Sequence, residues 1–113
     1  MPLTPAALAL EERLRAAGYQ PPPDAEPAEL AALREHDRVA RLGRDMHIHR
    51  DALAGVATRV TELIQRDGSV TIAGLRDELG TSRRYAQALL ELLDAERVTL
   101  RVGDERVLRK KSS

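Results

Sequence analysis

The sequence contains no cysteine, phenylalanine or tryptophan, and its only two aromatic residues are Tyr19 and Tyr85. Without cysteine, the chain can form neither disulfide bonds nor zinc–thiolate sites. The hydrophobic core must therefore be built from Leu, Val, Ile and Ala. In the second half of the chain, base stacking is limited to Tyr85 and to the guanidinium planes of arginines.

Long hydrophobic runs are also missing. No apolar stretch approaches the roughly 18 residues that a membrane span requires. The first five residues have neither a basic segment nor an apolar segment, so we expect no signal peptide. The chain is predicted to be cytoplasmic, monomeric and without membrane contact. Its 113 residues suffice for one ordinary domain or for two very small ones.

Positive and negative charges balance over the whole chain, at 18 basic and 18 acidic residues, but they are unevenly distributed. Residues 1–69 hold nine arginines against eleven carboxylates, whereas residues 70–113 hold nine Lys or Arg against seven carboxylates. The second half is therefore the better candidate for binding a polyanion.

Catalytic motifs are absent from the sequence: there is no Gly-rich phosphate loop, no Gly-x-Ser-x-Gly elbow and no His-Glu-x-x-His. We predict that this chain is not an enzyme, has no catalytic residues and holds no cofactor. His47 and His49 lie two apart on a predicted strand, and His36 precedes them. Strong zinc spacings are absent, so we interpret the strand histidines as a polar surface and predict no metal ligands.

Periodicity and turn residues define the first half of the chain. They predict a helix over 5–17, a second helix from residue 24 or 26 to about 35, and a hairpin with strands 38–42 and 46–49. Thr4 is expected to cap the first helix, Pro5 to occupy its first position and Gly18 to end it. The apolar stripe of this helix includes Leu8 and Leu10.

The second half is predicted to contain helices over 51–66, 72–79 and about 82–95, a short extended segment at 69–71, and a hairpin with strands 98–102 and 106–108. Gly80 separates two of the helices, and Thr81 or Ser82 caps the last one. The stripe of that last helix comprises Tyr85, Ala88, Leu89, Leu92 and Leu93. This order is typical of a helix-turn-helix followed by a wing, which together make a winged helix.

An internal repeat relates the two halves. Leu30, Leu33, Asp37, Arg38, Val39, Arg41 and Gly43 match Leu89, Leu92, Glu96, Arg97, Val98, Arg101 and Gly103, with one inserted residue after the valine. The first copy is abridged, because only residues 18–25 separate its two helices. We predict a mainly α protein with small β-hairpins (α+β), built as tandem winged-helix modules: an abridged module at 1–49 and a complete one at 50–113.

The candidate binding site is the turn that runs from Gly80 to Tyr85. A helix N-terminus carries partial positive charge and unpaired N–H groups, so acidic side chains are favoured there. This helix has Arg83 and Arg84 instead. A docked phosphate would accept hydrogen bonds from the N–H groups, from the hydroxyl of Thr81 or Ser82 and from both guanidiniums. The alternative is a solvated face on which the two arginines pair with neighbouring carboxylates.

Three stretches carry a resemblance to a known family. They are RDELGTSRRYA at 76–86, RVGDERVL at 101–108 and VARLGRDMHIHRDAL at 39–53. All three resemble the end of the bacterial selenocysteine-specific elongation factor. The resemblance covers residues 36–113 well and residues 3–35 loosely, and it identifies the chain as similar to a C-terminal fragment with an added start Met.

The resemblance implies a function. The full proteins of this family are translation GTPases that bind GTP and deliver selenocysteinyl-tRNA to the ribosome at a recoded UGA, and their last winged helix binds an mRNA hairpin. Carried onto this sequence, the RNA-binding residues are Thr81, Ser82, Arg83, Arg84, Tyr85, Arg101 and Arg106. Position 84 departs from the family, which usually has Lys there, and Arg offers a bidentate grip that Lys lacks.

Two other functions remain open at this stage. One is a winged-helix transcriptional regulator that reads duplex DNA with the outer face of its third helix. That face is formed by Arg84, Gln87, Glu91 and Asp94, and it becomes acidic after one turn. This favours capture of an RNA hairpin by the helix tip, by which we mean the turn from Gly80 to Tyr85. The other is a protein–protein module that joins the factor to the ribosome.

Overall fold

Five helices and two small antiparallel sheets form residues 2–110, the part of the chain that the computed structural model describes. The predicted class, mainly α with small β-hairpins in winged-helix modules, is confirmed. The chain divides into two compact units between Ala54 and Gly55. Within the described residues, no helix is both long enough and apolar enough to cross a membrane.

The first unit contains two helices and one hairpin: α1 (Pro5–Ala17), α2 (Pro27–Glu35), β1 (Val39–Leu42) and β2 (Met46–His49). Thr4 caps α1 as predicted, since its Oγ1 accepts a hydrogen bond from the backbone N–H of Ala7 at 3.1 Å. One hydrophobic cluster in the core of this unit is formed by Ala7, Leu10, Leu14, Leu30, Leu33 and Val39. Leu8 lies outside it, 45% exposed, because it falls one position beyond the buried stripe of α1.

Both strand histidines are buried in the first unit, so the interpretation of a polar surface was wrong. His47 Nδ1 lies 2.8 Å from Asp24 Oδ1, and His49 Nε2 lies 2.9 Å from Oε2 of the buried Glu11. The strand is covered by α1 and by the connector between the helices, and each of these contributes a carboxylate that satisfies one imidazole. Pairing of this kind is what allows polar groups to be buried.

Helix α3 spans Arg50–Asp67, and its residues from Gly55 onward belong to the second unit. The other elements of the second unit are β3 (Val70–Thr71), α4 (Ile72–Leu79), α5 (Arg83–Ala95), β4 (Thr99–Val102) and β5 (Glu105–Leu108). The three strands are antiparallel in the order β3–β5–β4, so β5 is the central strand. This arrangement is the predicted helix-turn-helix followed by a wing.

The buried face of α5 is rotated from the predicted one. Ala86, Leu89, Leu90 and Leu93 are buried, whereas Tyr85 is only half-buried. Because the helix contains leucines at both 89–90 and 92–93, two neighbouring stripes were almost equally apolar in the sequence. Packing against α4 and β4 selects the stripe that excludes the bulky tyrosine.

The internal repeat is visible in the structure with its register shifted by one residue in the helices. The backbone N–H of Arg38 donates to Leu33 O at 2.9 Å, and the N–H of Val98 donates to Leu93 O at 2.9 Å. Leu33 therefore corresponds to Leu93, and not to Leu92 as the sequence match suggested. The length difference between the copies falls in the wing turn, because β1 and β2 are separated by three residues and β4 and β5 by two.

Candidate nucleic-acid interface

The turn between α4 and α5 is fixed by backbone hydrogen bonds. Gly80 adopts a left-handed conformation (φ 63°) that ends α4, and its N–H donates to Arg76 O and Asp77 O. The N–H of Thr81 also donates to Arg76 O, at 3.0 Å. A residue with a Cβ is disfavoured at this φ, so glycine is the residue that lets the chain turn directly into the next helix.

Ser82 caps α5, with its Oγ accepting a hydrogen bond from the backbone N–H of Tyr85 at 3.3 Å. Arg83 and Arg84 follow as the first two helical residues, both are exposed, and the first turn contains no acidic residue. Their charges oppose the helix dipole, which costs roughly 0.3–1 kcal/mol for each exposed charge. This helix end is therefore positively charged and presents backbone donors to an anion.

Arg101 lies on the wing strand β4 and is exposed. Its Nε donates to the carbonyl oxygen of Gly103 at 2.9 Å, which tethers the side chain to the wing turn. A tethered guanidinium loses less rotamer entropy when it binds an anion than one that is free in solvent. The structure thus presents Arg101 as an exposed cation of the wing.

Arg106 is placed differently from the other six residues, because it is only 2% exposed. Its Nη2 and Nε donate to Asp94 Oδ2 at 3.0 and 3.3 Å. The other carboxylate oxygen of Asp94 accepts from Thr99 Oγ1 at 2.6 Å. Arg106 lies on the central strand, where an alternate residue has to point inward, and its guanidinium is therefore buried and not presented at the surface, unlike that of Arg101.

Asp94 and Thr99 were overlooked as partners in the sequence. Asp94 was placed on the outer face of α5, whereas the structure turns it toward the wing. A sequence signal for this pair was available. Asp94 is an acidic residue in the last turn of a predicted helix, and Arg106 is a basic residue on a strand of the hairpin that follows it. The outer face keeps Gln87 and Glu91, whose side chains are hydrogen bonded to each other at 3.1 Å.

Among the described residues, no three His, Asp or Glu side chains cluster in a way that could hold a metal ion. Among the described residues of this unit, the exposed pair of Arg66 and Asp67 has shifted pKa values. A hydrogen bond from Arg66 lowers the pKa of Asp67, and the same contact raises the pKa of Arg66. Both groups lie at the end of α3, and neither belongs to the turn from Gly80 to Tyr85.

A protein-family model matches the part of the chain that contains the sequence motifs at 76–86 and 101–108. The family model described as "Elongation factor SelB, winged helix" matches residues 62–108, which include the turn, α5 and the wing. The resemblance to the bacterial selenocysteine-specific elongation factor is thereby confirmed for the C-terminal winged-helix region. The matched segment lies within the second unit and contains all seven proposed RNA-binding residues.

A curated protein that is similar in sequence supports the same resemblance. The selenocysteine-specific elongation factor of Desulfomicrobium baculatum is 27% identical over 79 residues, which make up 70% of this chain and 12% of that protein. The chain therefore spans only a small part of its curated relative.

Two solved structures share the fold. The mRNA-binding domain of elongation factor SelB from E. coli, solved in complex with SECIS RNA, has a TM-score of 0.78 and 23% identity, covering 95% of this chain and 99% of that one. A bacterial selenocysteine-specific elongation factor EF-Sec has a TM-score of 0.77 and 21% identity, covering 95% and 19%.

Proposed function

We propose that this chain, whose residues 62–108 match the family model of the SelB winged helix, binds the selenocysteine-insertion hairpin of a messenger RNA. The relative of this fold from E. coli was solved with SECIS RNA, and the family match covers the same unit here. The proposed module boundaries are 1–49 for the abridged module and 50–113 for the RNA-binding module.

The observation that carries this proposal is the N-terminus of α5. Ser82 caps a helix whose first two residues are exposed arginines and whose first turn lacks an acid. The dipole penalty of this arrangement is reversed when a phosphate binds, because the backbone N–H groups and both guanidiniums then donate to one anion.

The proposed RNA-binding residues are Thr81, Ser82, Arg83, Arg84, Tyr85 and Arg101. Thr81 and Ser82 supply hydroxyls at the start of α5, and Tyr85, which is half-buried, is proposed to contact a sugar or a base. Arg106 acts indirectly, by holding β5 to α5 through Asp94.

Duplex DNA readout is not supported by the comparisons, which match a translation factor. The face that a DNA reader would lay in the major groove carries Glu91, which is exposed and bonded to Gln87. A carboxylate in that position is repelled by the phosphates on either side of the groove.

The wider role follows from the family. We propose that the full protein is a cytoplasmic GTPase that carries selenocysteinyl-tRNA to the ribosome, with GTP bound outside the segment described here. This chain then contributes RNA binding and no catalysis, so the isolated chain is expected to hydrolyse no GTP.

The proposal is tested by measuring the affinity of the 113-residue chain for a selenoprotein-message hairpin, for the same hairpin with a scrambled loop, and for duplex DNA of equal length. The message hairpin should bind most tightly. The double variant Arg83→Ala/Arg84→Ala should bind about tenfold or more weakly, because charge-assisted hydrogen bonds are worth roughly 1.5–3 kcal/mol each.

The matched control is Arg66→Gln, which removes an exposed arginine of the same unit away from the helix tip in sequence. The control should bind with nearly unchanged affinity. In a salt titration, the slope for the double variant should be shallower by about 0.7–0.9 for each phosphate that it no longer neutralises. Equal affinities of the double variant and the control at every salt concentration would refute the helix-tip site.

A further inference from the structure

The first unit contains an open cavity of about 350 Å³ that the proposed RNA site does not use. Its polar wall is formed by Arg34 at the end of α2, by Arg41 on β1 and by His47 on β2, and its apolar wall includes Leu30. Asp24 is the one carboxylate among the described residues that line it. The cavity therefore combines two cations with a hydrophobic side.

The polar groups of this wall are held in fixed orientations. Arg34 Nη1 lies 2.8 Å from His47 Nε2, and a guanidinium can only donate, so Nε2 accepts. The ring proton then lies on Nδ1, which donates to Asp24 Oδ1 at 2.8 Å. Asp24 is engaged by this bond. The chain of hydrogen bonds from Asp24 through His47 orients the guanidinium of Arg34.

Arg41 is placed beside this chain of hydrogen bonds by the hairpin. It is the direct cross-strand partner of His47, so the two side chains lie on the same face of the two-stranded sheet. Within residues 2–110, neither Arg34 nor Arg41 forms an ion pair with a carboxylate, and both are exposed. Two guanidiniums thus border one cavity without an acidic counterion of their own.

In the second unit the positions that correspond to Arg34 and His47 hold a different pair of side chains. Arg97 N donates to Asp94 O as Asp37 N donates to Arg34 O, and Arg101 pairs with Arg106 as Arg41 pairs with His47. Asp94 therefore corresponds to Arg34, and Arg106 to His47. In the second unit the helix supplies the carboxylate and the strand arginine is neutralised and buried, whereas in the first unit the helix supplies the cation at the mouth of a cavity.

We propose that the cavity bordered by Arg34, Arg41 and His47 binds a phosphate ester. Two planar guanidinium forks match the oxygens of a phosphate, and the apolar wall at Leu30 gives the attached sugar a surface to pack on. Such an ester is carried either by a polynucleotide backbone or by a free nucleotide, and both offer the same chemistry to this pocket.

The test uses the 113-residue chain and NMR titrations that follow the His47 ring and the Nε–H signals of Arg34 and Arg41. The ligands are adenosine monophosphate and a short RNA duplex without loop or bulge, each compared with sodium chloride at equal ionic strength. The variants are Arg34→Gln and Arg41→Gln, and the control is Arg44→Gln, an exposed arginine of the same hairpin that does not line the cavity. We expect Arg34→Gln to fold, because Arg34 is exposed and the substitution leaves the pair of His47 and Asp24 in place.

We expect at least one of the two ligands to shift these signals saturably, with affinity reduced about tenfold in Arg34→Gln and Arg41→Gln and unchanged in Arg44→Gln. Saturation by the duplex identifies a polynucleotide backbone as the source, and saturation by the nucleotide alone identifies a free nucleotide. The proposal is overturned if neither ligand acts beyond chloride, or if all three variants weaken binding equally. The helix-tip variants Arg83→Ala and Arg84→Ala lie in the other unit, so the two proposals fail independently.

Discussion

Arg97 repeats the left-handed backbone conformation of Asp37 at the same point of the two copies, with φ values of 63° and 56°. Each residue follows the end of a helix, and each N–H closes the last turn by donating to the residue three positions earlier, Asp94 in one copy and Arg34 in the other. This conformation costs an L-residue roughly 1–2 kcal/mol. The fold therefore requires the same left-handed backbone at this helix-to-wing connection in both copies, although the two side chains, Asp37 and Arg97, are chemically unlike.

Glycine at position 97 should stabilise the second unit. Glycine adopts a positive φ without the steric cost, although it loses more chain entropy on folding, so Arg97→Gly should raise the free energy of unfolding by about 0.5 kcal/mol. The gain at Asp37→Gly should be smaller, because Asp37 also pairs with Arg50 Nη2 at 3.0 Å. Glu96→Gly is the control: Glu96 has a φ of −81°, so glycine there should destabilise. Chemical denaturation gives all three values, and a loss of stability in Arg97→Gly would contradict the prediction.

The pair of Asp94 and Arg106 should matter for stability, in contrast to Arg101. Arg106→Met leaves the partly buried carboxylate of Asp94 without its cation, and we expect a loss of roughly 3 kcal/mol, at the low end for breaking a buried pair. The double variant Asp94→Leu/Arg106→Met should recover much of this loss, because no unpaired charge remains.

Arg101→Ala completes the comparison, since it should leave the melting temperature nearly unchanged and weaken hairpin binding. Thermal melts and RNA affinities of the same three proteins separate the two effects. If Arg106→Met melted like the wild type, the structural role assigned to Arg106 would be untenable.

Leu89 should contribute more to stability than Tyr85. Leu89 is fully buried, so Leu89→Ala should cost about 2–5 kcal/mol. Tyr85 is half-buried, so Tyr85→Ala should cost less, about 1–2 kcal/mol, while weakening RNA binding. Gln87→Ala on the exposed face should change stability by no more than about 0.5 kcal/mol. Urea denaturation ranks the three, and a larger loss for Tyr85→Ala than for Leu89→Ala would restore the tyrosine to the core.

Glu11 should be the most sensitive acidic residue of the first unit. Its buried carboxylate receives His49 Nε2 at 2.9 Å and also lies 3.4 Å from Arg38 Nη1, and the backbone N–H of Asp51 donates to the other ring nitrogen of His49. Glu11→Ala should cost about 3 kcal/mol, and Glu11→Gln less, because the amide oxygen still accepts from His49.

The control for Glu11 is its exposed neighbour Glu12, which pairs with Arg15 at the surface. Glu12→Ala should change stability by less than about 1 kcal/mol, as is usual for an exposed ion pair. Amide exchange measured over residues 2–54 reports the stability of this unit. Similar losses at positions 11 and 12 would show that the buried histidine pair contributes little.

The helices and their ends were determined by the sequence itself. The Thr4 and Ser82 caps, Gly80 and the apolar periodicity of α3 act over a few residues, so the bounds of α1, α4 and α5 followed from local hydrogen bonding and spacing. The residues proposed to bind RNA at the start of α5 were predicted in the same way, because an N-cap followed by two arginines is a local pattern. The family motifs at 76–86 and 101–108 added the function that this pattern suggests.

Tertiary packing decided which face each element buries. The leucine pairs of α5 allowed two stripes one residue apart, and only packing against α4 and the wing selected Leu89, Leu90 and Leu93 over Tyr85. Tertiary packing also decided which charged side chains are buried and which are exposed. Arg101 and Arg106 differ little in sequence context, yet one is on the surface and the other is neutralised by Asp94, because β5 is the central strand. Burial of a charge depends on a partner that is distant in sequence, and that partner is set only when the whole unit has folded.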